Sequence, residues 1–136
     1  MQYVLDASFY ASLILPDEKD EYVLNFFSTK GKDDTMYVPH LWWYEMGNIL
    51  KKAIMRKRIA YLEAQELISM LSALNVITDT EFGGAYAHTL LKLAHDYNLT
   101  VYDAAYLELA ERKKAVLGTL DGNLKTAAVK YGVEAL

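Results

Sequence analysis

Residues 97–124, YNLTVYDAAYLELAERKKAVLGTLDGNL, decide how the rest of the chain is read. They carry two aspartates at two places where the backbone changes character. Asp103 opens a helical run in which Ala104, Leu107, Ala110 and Ala115 recur as apolar positions, with charges at Glu108, Glu111, Arg112, Lys113 and Lys114. Residues 115–120, AVLGTL, read as a short buried strand that Asp121 closes; Gly122 makes the turn and Asn123 starts another helix. One carboxylate therefore heads a helix and the other ends a strand. Asp is also a favoured N-cap and an ordinary turn residue, so the case for chemistry rests on partners elsewhere.

Working outward, residues 1–5 (MQYVL) form a β-prone run ending at Asp6, and residues 7–15 a short helix stopped by Pro16. Asp6 thus stands at a strand-to-helix junction, as Asp121 does. Neither has Glu or Gln three residues on (Phe9 and Leu124 stand there), so neither is a capping box. Residues 17–30 predict a helix with Tyr22, Val23, Phe26 and Phe27 as its apolar stripe. Asp33 and Asp34 read as turn residues, and residues 36–38 as a strand ended by Pro39. Residues 40–57 predict a long helix. Glu45 lies there beside Trp42, Trp43 and Tyr44, aromatics expected in the core or at an interface; a charge in such surroundings wants a partner. Further elements are a helix over 59–74, a strand over 75–79, a helix over 82–97 ended by Asn98 in a left-handed turn, a helix over 124–131 and a closing edge strand over 132–136. Asp79 reads as a cap for the helix that follows it.

Short apolar strands separated by helical crossovers predict an α/β protein with a parallel sheet covered on both faces, in one domain over residues 1–136. The chain has 136 residues with 53% hydrophobic content, enough for a substantial core. It begins directly at a strand-like run with no visible signal peptide, no apolar run nears the roughly 20 residues of a bilayer span, and there is no cysteine. The expectation is a cytoplasmic protein with no membrane partner. The net charge of −4 argues against general electrostatic capture of nucleic acid, but not against a nuclease whose metal ions offset clustered carboxylates.

Open α/β sheets bind ligands at the carboxyl ends of their strands. Asp6 and Asp121 lie at such ends, Asp103 heads a helix that can start at the same rim, and the long helix can bring Glu45 over it. An all-oxygen cluster suits a hard ion, Mg²⁺ or Mn²⁺, which activates water and neutralises a phosphoryl transition state. No GxSxG, HExxH, P-loop or GxGxxG motif is present. His88 and His95 are seven positions apart on one helix, about 10 Å along its axis, too far to share an ion.

Residues 4–8 (VLDAS), 45–50 (EMGNIL), 99–107 (LTVYDAAYL) and 117–121 (LGTLD) resemble, in order and over nearly the whole chain, the four blocks of the PIN domain. More narrowly they resemble the VapC-type toxins of bacterial and archaeal toxin–antitoxin pairs. The resemblance implies a PIN-like three-layer α/β/α fold with a central, mostly parallel five-stranded sheet. It implies a Mg²⁺- or Mn²⁺-dependent endoribonuclease leaving 5′-phosphate and 3′-hydroxyl ends, and a homodimer silenced by a cognate antitoxin. It carries over Asp6, Glu45, Asp103 and Asp121 as the catalytic, metal-binding acids, with Ser8, Asn48 and Thr119 as supporting polar groups. For the RNA, Lys52 and Arg56 follow Glu45 by seven and eleven positions. They fall within roughly 20° of its direction, about 10 and 16 Å further along the helix. They form either a phosphate track or a solvated face. Two other readings stay open: a receiver-like signalling domain, which would want paired acids after the first strand and a phosphoacceptor after the third, and a non-catalytic binding module on the same fold.

Overall fold

Four short runs rich in β-branched and aromatic residues extend as strands, and longer amphipathic runs between them coil into helices. The structure, a computed structural model, describes residues 1–136. In chain order the elements are β1 (Gln2–Leu5), α1 (Ala7–Ile14), α2 (Glu21–Ser28), β2 (Thr35–Val38), α3 (Leu41–Met55), α4 (Tyr61–Ala73), β3 (Val76–Thr78), α5 (Gly84–Tyr97), α6 (Val101–Lys113), β4 (Val116–Gly118) and α7 (Gly122–Tyr131).

All strand pairs are parallel, in the order β3-β2-β1-β4. β1 is therefore an inner strand, with Val4 opposite Tyr37 on one side and Leu117 on the other. Val4 and Leu5 are fully buried, as a strand covered on both faces requires. α6 packs on β1, β2 and β4 with α5 and α7 beside it, while α1 contacts α2 and α3, and α3 contacts α4. The chain moves outward from β1 to β2 to β3, then returns to the far side of β1 for β4. The order reverses between β1 and β4, so the crevice at their carboxyl ends is the switch point where such sheets bind ligands. Gly118 permits the close approach of these two strands: a Cβ there would lie 2.4 Å from Leu5 Cδ2.

The α/β expectation holds, with one strand fewer. The fifth strand reduces to a single parallel bridge between Leu117 and Ala135, with Leu117 N–H donating to Glu134 O and Leu136 N–H to Leu117 O, both at 2.9 Å. Gly132 turns the chain out of α7 at φ 91°, and the pairing spans just that one register.

Three helix starts also differ from expectation. α2 begins at Glu21, because Asp20 accepts the Tyr22 and Val23 N–H groups and caps there; Asp17 and Glu18, outside the helix, bind Arg58. α6 begins at Val101 with Thr100 as its cap, so Asp103 lies inside the first turn rather than opening the helix. Asp79 caps no helix, since α5 begins only at Gly84; it accepts the Glu81 N–H at 3.4 Å in the turn before it. It is buried and paired with Arg112, whose Nη2 lies 2.7 Å from its Oδ2. The aromatic run of α3 divides by position. Trp42 is fully buried, edge-on to Tyr10 at 4.9 Å; Trp43 donates from Nε1 to Thr78 Oγ1 at 2.9 Å; Tyr44 is exposed.

Candidate active site

The site grows from the two strand ends at the switch point. Asp6 follows β1 and caps α1, its Oδ1 accepting the Phe9 N–H at 3.0 Å. Ser8 Oγ donates to the same oxygen at 2.6 Å, and Thr119 Oγ1, at the end of β4, donates to Oδ2. Ser8 Oγ in turn accepts the Leu120 N–H at 3.1 Å, and Thr119 Oγ1 accepts the Asp121 N–H at 3.0 Å. The two hydroxyls thus lace the ends of β1 and β4 together and hold the Asp6 carboxylate from two sides. Burial still pushes the Asp6 carboxyl above its ordinary range; the bonds from Ser8, Thr119 and Phe9 offset part of that, and the charge of Asp121 adds to it.

Asp121 follows β4 and caps α7, with Oδ1 accepting the Leu124 N–H at 2.9 Å. Asp103, in the first turn of α6, is raised by burial. The Thr100 hydroxyl works against the rise, and the charges of Asp121 and Asp6 add to it. Glu45 comes from α3. Its Oε1 is buried without a hydrogen-bond partner, and its carboxyl is pushed up to about 7 by burial first, then by Asp6 and Asp103. The charges of Asp6 and Asp103 thus act on Glu45, those of Asp121 and Asp6 on Asp103, and that of Asp121 on Asp6, and none of the four joins an ion pair. Asn48 shares an open hollow of about 590 Å³ with Glu45, Asp103, Tyr44, Thr100 and Tyr102.

No three of the acids stand close enough to enclose one ion unaided. The donor set nonetheless fits a hard divalent cation: four carboxylates, no sulfur or imidazole, mutual repulsion, and an orphaned oxygen on Glu45. A cation at this rim would relieve both the repulsion and the unpaired oxygen.

Lys52 and Arg56 line a cleft of about 550 Å³ with Ser8, Ser12, Arg58 and Leu120. Neither has an ion-pair partner, whereas Arg58 holds Asp17 and Glu18 on the same cleft. The cleft reaches Ser8, which bonds Asp6, but none of the four acids lines it. Sequence reasoning missed one residue here, Tyr106. Its hydroxyl is buried without a partner and is one of the groups that act on Glu45. Its spacing three after Asp103, on the same helix face, was the available signal.

The model of the PIN domain family matches residues 3–130. The chain belongs to the PIN domain family. It is 34% identical over 131 residues to Ribonuclease VapC3 of Pyrobaculum aerophilum, covering 91% of this chain and 92% of that protein. The crystal structure of PAE2754, also from Pyrobaculum aerophilum, matches with a TM-score of 0.72 at 25% identity, over 99% of this chain and 89% of that one. VapBC-1 from nontypeable Haemophilus influenzae matches in fold at 14% identity, with a TM-score of 0.69 over 100% and 97% of the two chains. In this PIN chain the four blocks of sequence resemblance fall at the ends of β1 and β4 and on α3 and α6, the elements that carry the acids. No helix is long and apolar enough to cross a membrane.

Proposed function

We propose that this chain is a Mg²⁺- or Mn²⁺-dependent endoribonuclease, the toxin of a type II toxin–antitoxin pair, working as one nuclease domain over residues 1–136. The observation that carries the reading is the convergence of Asp6, Glu45, Asp103 and Asp121 at the switch point with no cationic side chain among them. The 34% identity to a protein called a ribonuclease, over nearly the full length of both, supports the substrate class. The VapC-type resemblance supplies the rest: a cognate antitoxin, a homodimer and a cytoplasmic setting.

A divalent ion bound at the acids supplies activation of the attacking water and charge neutralisation at the phosphodiester. Asp6, Asp103 and Asp121 would hold the ion directly or through water, and Glu45 would complete the site or orient the attacking water. Ser8 and Thr119 keep Asp6 in one orientation, which preorganises the site before substrate arrives. Asn48 offers an amide beside Glu45. Lys52 and Arg56 bind phosphates of the RNA flanking the scissile bond, a local positive path on an acidic protein. A receiver-like role is disfavoured by Asp79, the acid after β3, which is buried and bonded to Arg112 rather than free to accept phosphate.

Incubation of an RNA pool with and without EDTA, with the ends mapped, tests the reading. Cleavage that needs Mg²⁺ or Mn²⁺ and leaves 5′-phosphate and 3′-hydroxyl ends supports it; metal-independent cleavage, or 2′,3′-cyclic phosphate ends, would overturn it. For the phosphate path, Lys52→Ala with Arg56→Ala should lower the salt slope of RNA binding by roughly 1–2 units. That slope is measured with calcium on an Asp121→Asn background. An unchanged slope and affinity would assign both residues to a solvated face.

A further inference from the structure

Tyr106 carries a buried hydroxyl with no assigned role. The residue is 1% exposed and lies one turn after Asp103 on α6, so the two share a helix face. A buried tyrosine hydroxyl ordinarily finds a partner. Here Tyr106 Oη has none, and neither has Glu45 Oε1. The two groups are nonetheless neighbours. Among the charges acting on Tyr106, Glu45 acts most strongly, followed by Asp6, and the Tyr106 hydroxyl is the group that favours the charged form of Glu45. The Ala7 backbone N–H, in the first turn of α1, also acts on the phenol oxygen.

A donor and an acceptor that are both buried, adjacent and unbonded each keep a desolvation cost that one hydrogen bond would remove. The terminal torsion of Glu is broad and roughly two-fold, so the carboxylate can turn to meet the hydroxyl at little cost. Once it does, one oxygen is committed to Tyr106 and the other is left to face the rim. We propose that Tyr106 is a positioning residue, donating its hydroxyl proton to the Glu45 carboxylate when a divalent cation draws that carboxylate into the site. Ala7 N–H then donates to the phenol oxygen, so the link Ala7–Tyr106–Glu45 ties the helix that follows Asp6 to α3. Groups that orient metal-binding carboxylates from behind matter nearly as much as the ligands themselves.

This inference rests on the metal reading above, and its test separates the two. Tyr106→Phe removes only the hydroxyl. Metal-free thermal stability should be unchanged or raised, because a buried unbonded group is lost. Saturable Mn²⁺ binding, followed by calorimetry, should weaken by about 10–100-fold. In a Glu45→Gln background the same substitution should weaken Mn²⁺ binding by less than about 2-fold, since its effect runs through Glu45. If wild type binds Mn²⁺ and Tyr106→Phe binds it equally well, or weakens it as much in the Glu45→Gln background, the positioning role is wrong and the metal reading stands. A marked fall in metal-free stability would make the hydroxyl structural and also overturn the role. Wild type with no saturable Mn²⁺ binding would sink the metal reading itself, and this role with it.

Discussion

Two groups of acids stand on this one small sheet and behave in opposite ways. At the end of β3, Asp79 is less exposed to solvent than Asp103 or Glu45, yet its carboxyl sits below the ordinary range. Burial raises it, but the bidentate bond and charge of Arg112 lower it by more. Arg112 also holds Glu108, which accepts the Tyr86 hydroxyl at 2.7 Å, so every charge in that network has a partner. At the ends of β1 and β4, Asp6, Asp103 and Glu45 are all raised, and the charges nearest them are one another. The first group is complete within the chain. The second has no such partner within the chain, and the proposed cation site rests on that difference.

The contrast should break most visibly under charge removal. Asp103→Asn should reduce RNA cleavage by more than about 100-fold, yet leave metal-free stability equal or higher, because it removes repulsion. Arg112→Leu should do the reverse. It strands the buried Asp79 charge and costs about 3 kcal/mol, read by urea unfolding, while the acids at the other rim keep their geometry. If Asp103→Asn proves the more destabilising of the two, its carboxylate is a structural cap and the contrast fails.

Added metal sharpens the same comparison. Mn²⁺ at about 100 times its dissociation constant should stabilise wild type by about 2.7 kcal/mol through binding to the native state. The gain should be clearly smaller for Asp6→Asn and undiminished for Arg112→Leu. Equal gains in wild type and Asp6→Asn would point to ions bound elsewhere.

The smallest effect is in the pH dependence without metal. Glu45 is raised from 4.5 to about 7, so the native state holds its proton more tightly than the unfolded chain. Its contribution to stability is fully present below about pH 4.5 and is lost as pH rises through 7. For a half-buried group this amounts to about 1–2 kcal/mol after solvent screening. Asp79 has the opposite sign: its contribution is present above the ordinary carboxylate range and is lost only in acid, below pH 4. Metal-free wild type should therefore lose stability between pH 5 and 8, and Glu45→Gln should lose less. Parallel pH profiles for the two proteins would show that Glu45 titrates normally.

What could be read from sequence divides along the same lines. Asp6 and Asp121 are legible because a strand end followed by a helix start is a local pattern. Glu45 is legible because a charge in an aromatic run is anomalous where it stands. Asp79 is misread as a cap because its partner, Arg112, lies 33 positions away and nothing local announces the pair. The same holds for Asp17, outside its expected helix because Arg58, 41 positions on, holds it. The final strand looks like β-structure by composition, but how far it pairs depends on the path after Gly132. Tyr106 is passed over as a functional residue because, for all its spacing from Asp103, a tyrosine on an apolar helix face reads as core. The unpaired state of its hydroxyl and of Glu45 Oε1 sets it apart from an ordinary core tyrosine.

The position of β1 inside the sheet has a consequence for how the protein comes into being. One edge of β1 is covered once residue 38 is made, but the other stays bare until residues 116–118 arrive. Asp6 meets the Thr119 hydroxyl that holds it only 113 positions later. A polypeptide interrupted anywhere in between has no assembled rim. The order of synthesis therefore acts as a timer, and the acids come together only after residue 121 has been made, long after Asp6.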